Sequence, residues 1–158
     1  MADSFHRALI KEHNVLIGIA ITSDTCRTAQ HTQELAPGSA VALSRLLTSS
    51  ALIGLVQNRP GSSSLQVVTP GPLGQAYADV TDDGHLRGYV KNTELPIPPT
   101  ASTSDERWDI SSFMGEGELS VIRIAQNNQF TQSNTPLSHS EIDRDVATFM
   151  EQSDQIPT

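Results

Sequence analysis

The chain has 158 residues and a net charge of -8, with 37% hydrophobic and only 18% charged residues. This length suits one domain, so we predict a single domain over residues 1–158. Because an acidic surface repels phosphate backbones, nucleic acid is not expected as a partner. The apolar segment Ala51–Val56 is far too short to span a bilayer, and the first residues lack a signal-peptide pattern. We therefore expect a cytoplasmic protein without a membrane partner.

The first part of the chain predicts one strand and two helices. Val15–Ile21 is rich in β-branched residues, which indicates a buried strand. The polar stretch Ser23–Gln33 is compatible with a helix, and Pro37-Gly38 is expected to separate it from the next element. Between Ser39 and Gln57, apolar residues recur at helical spacing and lie on nearly all sides, which predicts a long buried helix. Gly54 inside this helix indicates close packing against a neighbour.

Glycines recur between Pro70 and Asn92, which raises the question of a phosphate-binding loop. Such a loop needs a glycine-rich turn that opens a helix. Here Gly71-Pro-Leu-Gly74 leads into a predicted strand, so we favour a structural corner. The Asp83-Gly84 dipeptide is typical of a type I′ hairpin turn. The strands predicted around these two turns are Leu65–Thr69, Gln75–Val80 and His85–Lys91.

The last third predicts short elements and one clear helix. The proline-rich segment 96–104 is expected to be a loop, Asp109–Met114 a short helical turn and Leu119–Ile124 a strand. Ser138 and Glu141 have the spacing of a helix capping box. An apolar stripe then predicts a helix face that packs in the core: Ile142, Val146, Phe149 and Met150. Strands and helices without regular alternation predict an α+β fold.

No arrangement of residues in the sequence points to catalysis, a cofactor or a metal, so we expect a protein that is not an enzyme. The five histidines lack the short spacings of a zinc site. Cys26, the single cysteine, and His31 form the one nucleophile and base pair that is close in sequence. A spacing of five places them on partly different faces of a helix. The sequence therefore assigns no catalytic, cofactor-binding or metal-binding residue.

A set of short motifs nevertheless occurs in a distinctive order along the chain. It includes Leu46-Leu-Thr48, Gly71-Pro-Leu-Gly74, Arg87-Gly-Tyr-Val90, Met114-Gly-x-Gly-x-Leu119, Glu141-Ile-x-x-Asp145 and the closing Ser153-Asp-Gln-Ile-Pro-Thr158. No single motif identifies a family. The combination that does so is Arg-Gly-Tyr-Val after Gly-Pro, followed later in the chain by the closing motif. In these motifs the chain resembles the heat shock protein 33 family, the redox-regulated bacterial holdase chaperones, across nearly its whole length.

The resemblance implies an ATP-independent chaperone core that binds unfolding proteins, with a dimer as the active form. It also implies an α+β core in which twisted antiparallel sheets pack against helices. Members of this family carry a C-terminal domain that holds zinc through four cysteines, and oxidation releases the zinc and unfolds this domain and an adjoining linker. This chain has Cys26 alone, so no cofactor is expected in it and the redox switch is not carried over. We expect a C-terminally truncated core without the last core strands, the linker and the zinc domain.

Three functions follow as hypotheses. The first is a holdase core, because holding a client requires exposed apolar surface and a net charge of -8 would keep the complex soluble. The second is a non-catalytic interaction or dimerisation module, because missing strands would leave a sheet edge open for a second copy. The third is a small hydrolase that uses Cys26 and His31. The sequence leaves the client-binding residues unassigned.

Overall fold

The structure is a computed structural model, and it describes residues 2–56, 60–98 and 107–153. The described residues form two antiparallel sheets and four helices, which confirms the predicted α+β fold. The predicted loop from residue 99 onward and the closing motif after Ser153 lie outside the described residues. In chain order the elements are β1 (Ser4–Ile10), β2 (Val15–Ile21), α1 (Ser23–Thr32), α2 (Pro37–Val56), β3 (Gly61–Val68), β4 (Gln75–Val80), β5 (Leu86–Val90), α3 (Ser111–Met114), β6 (Glu118–Ala125), β7 (Phe130–Pro136) and α4 (Ile142–Ser153).

The strands divide into a hairpin and a larger sheet. β1 and β2 pair in antiparallel fashion and form the hairpin, in which Ser4 lies opposite Ile21 and Ile10 opposite Val15. The larger sheet has the strand order β5-β4-β3-β6-β7, and each neighbouring pair is antiparallel. The sequence predicted the strands from β2 to β6 but assigned neither β1 nor β7.

Helix α2 is the central element of the fold. It contacts both strands of the hairpin, three strands of the larger sheet, and helices α1 and α4. Eleven of its 20 residues are buried, among them Leu43, Leu46 and Leu47. Gly54 faces Val80 so closely that an added Cβ would lie 2.8 Å from a Val80 methyl carbon. The predicted long buried helix and its close packing at Gly54 are therefore confirmed.

The start of α2 differs from the prediction. Pro37 and Gly38 are the first residues of the helix, so the break expected there was wrong. Proline suits the first turn of a helix because no intrahelical bond needs its amide. The segment after β5 covers this end. The amide of Gly38 donates to the carbonyl of Leu95 at 3.1 Å, and the hydroxyl of Ser39 accepts the amide of Leu95 at 3.0 Å.

The glycine-rich segment after β3 is a tight corner, as predicted. It packs against the glycine-rich segment that follows α3, and the two backbones touch. A Cβ added at Gly71 would lie 2.0 Å from the carbonyl oxygen of Met114, and one added at Gly117 would lie 2.4 Å from the carbonyl oxygen of Val68. The corner leads into β4 rather than a helix, so it has no helix N-terminus at which a phosphate could bind.

The predicted hairpin of β4 and β5 is present, but its turn is not of type I′. That turn type needs positive φ at both central residues, whereas Gly84, with φ of 85°, is the one residue of this turn that has it. The amide of Gly84 donates to the carbonyl of Thr81 at 3.0 Å. The Thr81 hydroxyl and the His85 ring both bind the carboxylate of Asp83, and they lower the pKa of Asp83 to about 2.

The start of α4 is held by Asp145 rather than by the predicted capping box. The carboxylate of Asp145 accepts the amides of Ser138, His139 and Glu141 at 2.7, 2.9 and 3.2 Å. Ser138 lies ahead of the helix, which begins at Ile142, so the capping-box prediction was wrong. A carboxylate can accept more free amides than a serine hydroxyl can. The apolar stripe of α4 is buried in the core, as predicted.

Glu141 instead joins the start of α4 to α2. Its carboxylate binds the guanidinium of Arg45, which also binds the carbonyl of Trp108. The amide of Ile110 donates to the same carboxylate at 3.3 Å. Burial raises the pKa of Glu141, against the opposing effects of the Arg45 charge and the Ile110 amide. The contacts of Glu141 therefore connect α2, α4 and the segment before α3.

We expect Gly88→Ala to lower the free energy of unfolding by about 2 kcal/mol, because a Cβ there would lie 2.5 Å from the carbonyl oxygen of Tyr77. Gly18→Ala is the matched control, since its Cβ would make ordinary contacts of 3.8 Å with Leu55. That control should change the free energy by less than about 0.5 kcal/mol. Urea denaturation followed by tryptophan fluorescence measures both variants. Equal effects of the two substitutions would contradict the close approach at Gly88.

Candidate functional site

Exposed apolar side chains concentrate on the β1–β2 hairpin. The prediction of β2 as a strand is confirmed, but the prediction that it is buried was wrong, because Val15, Ile17 and Ile19 are all exposed. The β-branched composition indicated a strand correctly and could not show which faces of it are covered. The hairpin carries five of the twelve exposed large hydrophobic side chains in the described part of the chain: Leu9, Ile10, Val15, Ile17 and Ile19.

The pairing register places four of these five side chains on one face. Residues directly opposite each other in an antiparallel pair share a face. That face runs from Ser4 opposite Ile21 to Ile10 opposite Val15, and His6 opposite Ile19 borders its exposed apolar part. We call it the outer hairpin face, and it is formed by Ala8, Ile10, Val15, Ile17 and Ile19. The face is therefore a continuous apolar surface with one histidine at its edge.

Part of the inner face of the hairpin rests on the body of the protein, while Leu9 on this face is 55% exposed. Gly18 lies close to Leu55 at the end of α2, and Phe5 lies beside Gly84 in the β4–β5 turn. The inner residues of β2 are half-buried. A groove of about 690 Å³ remains between the hairpin, the end of α2 and the β4–β5 turn. The hairpin is thus attached along one face without being sealed into the core.

One carboxylate fastens the hairpin to α1. Asp3, directly before β1, accepts the amides of Asp24 and Thr25 at 2.8 and 2.7 Å with its two oxygens. These amides belong to the first turn of α1, where Thr22 supplies no side-chain cap, so Asp3 caps the helix from a distant part of the chain. Partial burial raises the pKa of Asp3, but hydrogen bonds from Thr25 and Asp24 and the charge of Arg27 outweigh it and lower the pKa.

The hairpin differs in charge from the rest of the protein. Between residues 4 and 21, Arg7 and Lys11 outnumber Glu12, whereas the whole chain has a net charge of -8. Arg7 lies opposite Gly18 and hence on the other face of the hairpin, and Lys11 and Glu12 lie in its turn. The outer hairpin face is therefore an uncharged surface, bordered by slight positive charge, on an acidic protein.

The structure does not bring Cys26 and His31 together. The half-buried thiol of Cys26 lies 3.7 Å from the hydroxyl of Thr22 and 3.9 Å from the carbonyl of Ser44. The His31 side chain is exposed near the end of α1, and among the described residues no hydrogen bond joins it to Cys26. Residues 2–56, 60–98 and 107–153 also hold no group of three or more side chains that could bind a metal ion.

Helix α2 meets the length and composition criteria of a membrane-spanning helix. The most apolar 18-residue window of α2 has a mean hydropathy of 1.6. Its uninterrupted apolar segment, Ala51–Val56, is much shorter than this window. Buried core helices meet the same criteria, and 56% of this window is buried inside the protein. Because α2 contacts both sheets, we assign it to the core.

A family model described as Hsp33 protein matches residues 3–158. The chain belongs to the Hsp33 protein family. Curated Hsp33 relatives include the 33 kDa chaperonins of Thermus thermophilus and Deinococcus radiodurans, which are 31% and 33% identical over 96% and 90% of this chain. The crystal structure of the 33 kDa chaperonin from Thermotoga maritima, a heat shock protein 33 homologue, aligns over 97% of this chain with a TM-score of 0.86 and 25% identity.

The chain spans about half the length of these Hsp33 relatives. It covers 44% and 48% of the two curated chaperonins and 52% of the solved structure. These matches confirm the family predicted from the motifs. The outer hairpin face was missed because the residues between Val15, Ile17 and Ile19 are also apolar or glycine, which hides the alternation. Its one signal in the sequence is the run of β-branched residues at every second position.

We expect Asp3→Asn to loosen the hairpin, because a neutral side-chain amide has one oxygen in place of the two that accept the α1 amides. The free energy of unfolding should fall by about 1 kcal/mol at neutral pH. The β1 amides should also exchange faster with deuterium. Glu12→Gln in the exposed hairpin turn is the control and should leave both quantities unchanged.

The same variant should alter the dependence of stability on acid. Because the folded-state pKa of Asp3 is lowered, its stabilising contribution is present above the unfolded value of 3.8 and is lost as the pH falls through the folded pKa. Asp3→Asn should lack this part of the acid dependence. Wild-type exchange rates for the β1 amides in Asp3→Asn would show that Asp3 does not hold the hairpin.

Proposed function

We propose that this chain is the core of an ATP-independent holdase chaperone, which binds unfolding proteins on the outer hairpin face. The observation that carries the proposal is the continuous apolar surface of this face, which is open to solvent. Membership of the Hsp33 family and curated relatives named 33 kDa chaperonin support the same function.

The physical chemistry of this surface suits unfolded clients. Unfolding proteins expose apolar side chains, and covering apolar area gives about 25 cal/mol per Å² without requiring a defined sequence. A half-exposed isoleucine therefore contributes about 1 kcal/mol or somewhat more when a client covers it. The net charge of -8 would keep the complex soluble while the apolar face is occupied.

The proposal involves no catalytic residue, no cofactor in this chain and no redox switch. The half-buried thiol of Cys26, the single cysteine, is directed at Thr22 and Ser44. We place the protein in the cytoplasm, with unfolded proteins rather than nucleic acid or membrane as partners. Residues 1–158 would form one chaperone core domain, and a C-terminal zinc domain would lie in the part of the relatives that this chain does not span.

A second candidate function is a dimerisation module that has kept the fold without binding clients. The open outer edge of β7 favours it, because this strand has no further strand partner among the described residues. Sedimentation velocity at increasing protein concentration distinguishes the two functions. A stable homodimer that fails to bind an unfolded client would support the dimerisation module.

The decisive measurement for the holdase is light scattering from a chemically unfolded client enzyme that is diluted into buffer, with and without peroxide. We expect the wild-type chain to slow aggregation under both conditions. The double variant Ile17→Ser/Ile19→Ser should need at least about tenfold more protein for the same effect, because two apolar contacts are lost. Ile97→Ser is the matched control, since Ile97 is 64% exposed and lies outside the hairpin.

Two results would contradict this proposal in different ways. Failure of the wild-type chain to slow aggregation under either condition would show that it is not a holdase by itself. Equal activity of the double variant and Ile97→Ser would leave the holdase function in place and exclude the outer hairpin face as its surface.

A further inference from the structure

The outer edge of β7 presents backbone groups that have no partner among the described residues. The amide of Leu137 donates to the carbonyl of Gly117 at 2.9 Å, in register with the β6–β7 pairing. Bonded and non-bonded positions alternate along an antiparallel pair, so the odd-numbered residues of β7 bond to β6. Phe130, Gln132 and Asn134 therefore direct both their amide and their carbonyl away from β6.

The opposite edge of the same sheet is covered. The side chain of Gln33, directly after α1, donates to the carbonyl of Gly88 in β5 at 2.8 Å, and α1 packs along that strand. Exposed sheet edges are usually protected by charged residues, proline, bulges or covering segments. No lysine, arginine, aspartate or glutamate lies between Arg123 and Glu141, and Pro136 is the last residue of β7. Most of this edge therefore lacks the usual protection.

A pair of exposed apolar side chains lies beside the exposed edge. Phe130 is 69% exposed and lies directly opposite Ile124 of β6, which is 40% exposed. The two side chains share the face of the larger sheet that points away from α2, because the residues of the other face, such as Val121, are buried. A large apolar side chain on an added strand would lie next to Phe130 at the distance of a cross-strand pair.

We propose that the outer edge of β7 accepts an extended segment of an unfolded client as a sixth strand of the larger sheet. The proposal rests on the holdase function proposed above and adds a second binding surface to it. Backbone hydrogen bonds to Phe130, Gln132 and Asn134 would bind a segment of almost any sequence. The apolar pair Phe130 and Ile124 would favour a β-branched or aromatic residue at one position of that segment.

Charge and backbone chemistry favour a client over a second copy of this chain. Each copy has a net charge of -8, so two copies repel each other, whereas a neutral or cationic segment meets no such cost. A symmetric pair centred on Ser133 would place Phe130 opposite Pro136 of the other copy, which has no amide to donate, so a second copy fits the edge in fewer registers than a client does. A client segment can offer a donor at each position of the edge.

Hydrogen–deuterium exchange by NMR tests the proposal on the wild-type chain. The probe is a peptide of alternating threonine and valine residues with lysines at both ends. Peptide binding should slow exchange of the Phe130, Gln132 and Asn134 amides by at least about tenfold. The odd-numbered amides of β7 already bond to β6 and should change less. The measurement is made at a protein concentration at which sedimentation shows a monomer.

A pair of variants at one position provides the matched control. Gln132→Pro removes an outward amide and leaves the bonds between β6 and β7 in place, so peptide affinity should fall by about tenfold. Gln132→Ala keeps the amide and should bind with wild-type affinity. If Gln132→Pro does not fold, the exchange measurement on the wild-type chain decides alone.

The outcomes separate this proposal from the holdase function. Suppression of client aggregation without slowed exchange at the three even-numbered amides would overturn the edge site and leave the holdase function intact. Slowed exchange that depends on protein concentration in the absence of peptide would assign the edge to a second copy. Equal peptide affinity of Gln132→Pro and Gln132→Ala would also overturn the proposal. Peptide binding at the edge without aggregation suppression would retain the strand-addition site and reject the holdase function.

Discussion

The close packing of α2 against both sheets is the constraint on which the rest of the structure depends. Besides its leucines, the buried surface of α2 consists largely of glycine, alanine and serine, so that neighbouring backbones can approach it. At Gly54 the approach leaves no room for a Cβ beside Val80, and at Gly88 the side chain of Leu43 packs directly onto the strand. This packing has a cost, since the hydroxyl of Ser50 is buried and makes no hydrogen bond among the described residues. Burial of the leucines of α2 offsets such losses.

The same packing determines which surfaces remain available to other molecules. The hairpin uses its inner face to contact α2, and no element in the described part of the chain covers its outer face. The larger sheet uses one edge against α1 and leaves β7 at the other. The two surfaces differ in chemistry, because the outer hairpin face offers apolar side chains and the β7 edge offers backbone donors and acceptors. Neither apolar contact nor backbone hydrogen bonding depends on a particular partner sequence, as the proposed holdase function would require.

Most of the fold was predictable from local pattern, and most of the candidate site was not. The apolar residues of α2 and α4 recur at helical spacing, so both helices and their burial follow from the sequence. β7 was missed because Thr131 to Thr135 are polar and carry no apolar alternation, and its pairing depends on β6 rather than on its own composition. The roles of Asp3 and Asp145 could not be foreseen, since each carboxylate accepts amides whose positions are set by tertiary structure. For β2, which carries most of the outer hairpin face, the sequence predicted a buried strand. The strand is present but exposed, because burial depends on which elements pack against it and not on its own composition.

The position of the hairpin ahead of α2 in the chain has a consequence for synthesis on the ribosome. A four-residue turn joins β1 and β2, and among the residues that the structure describes they pair only with each other, so they can form within microseconds once they leave the exit tunnel. Their inner face has no partner until α2 is complete, and α2 ends 35 residues after β2. During that interval the nascent hairpin exposes apolar side chains on both faces. Exposed apolar surface of this kind makes an unfinished chain prone to aggregation until α2 covers it.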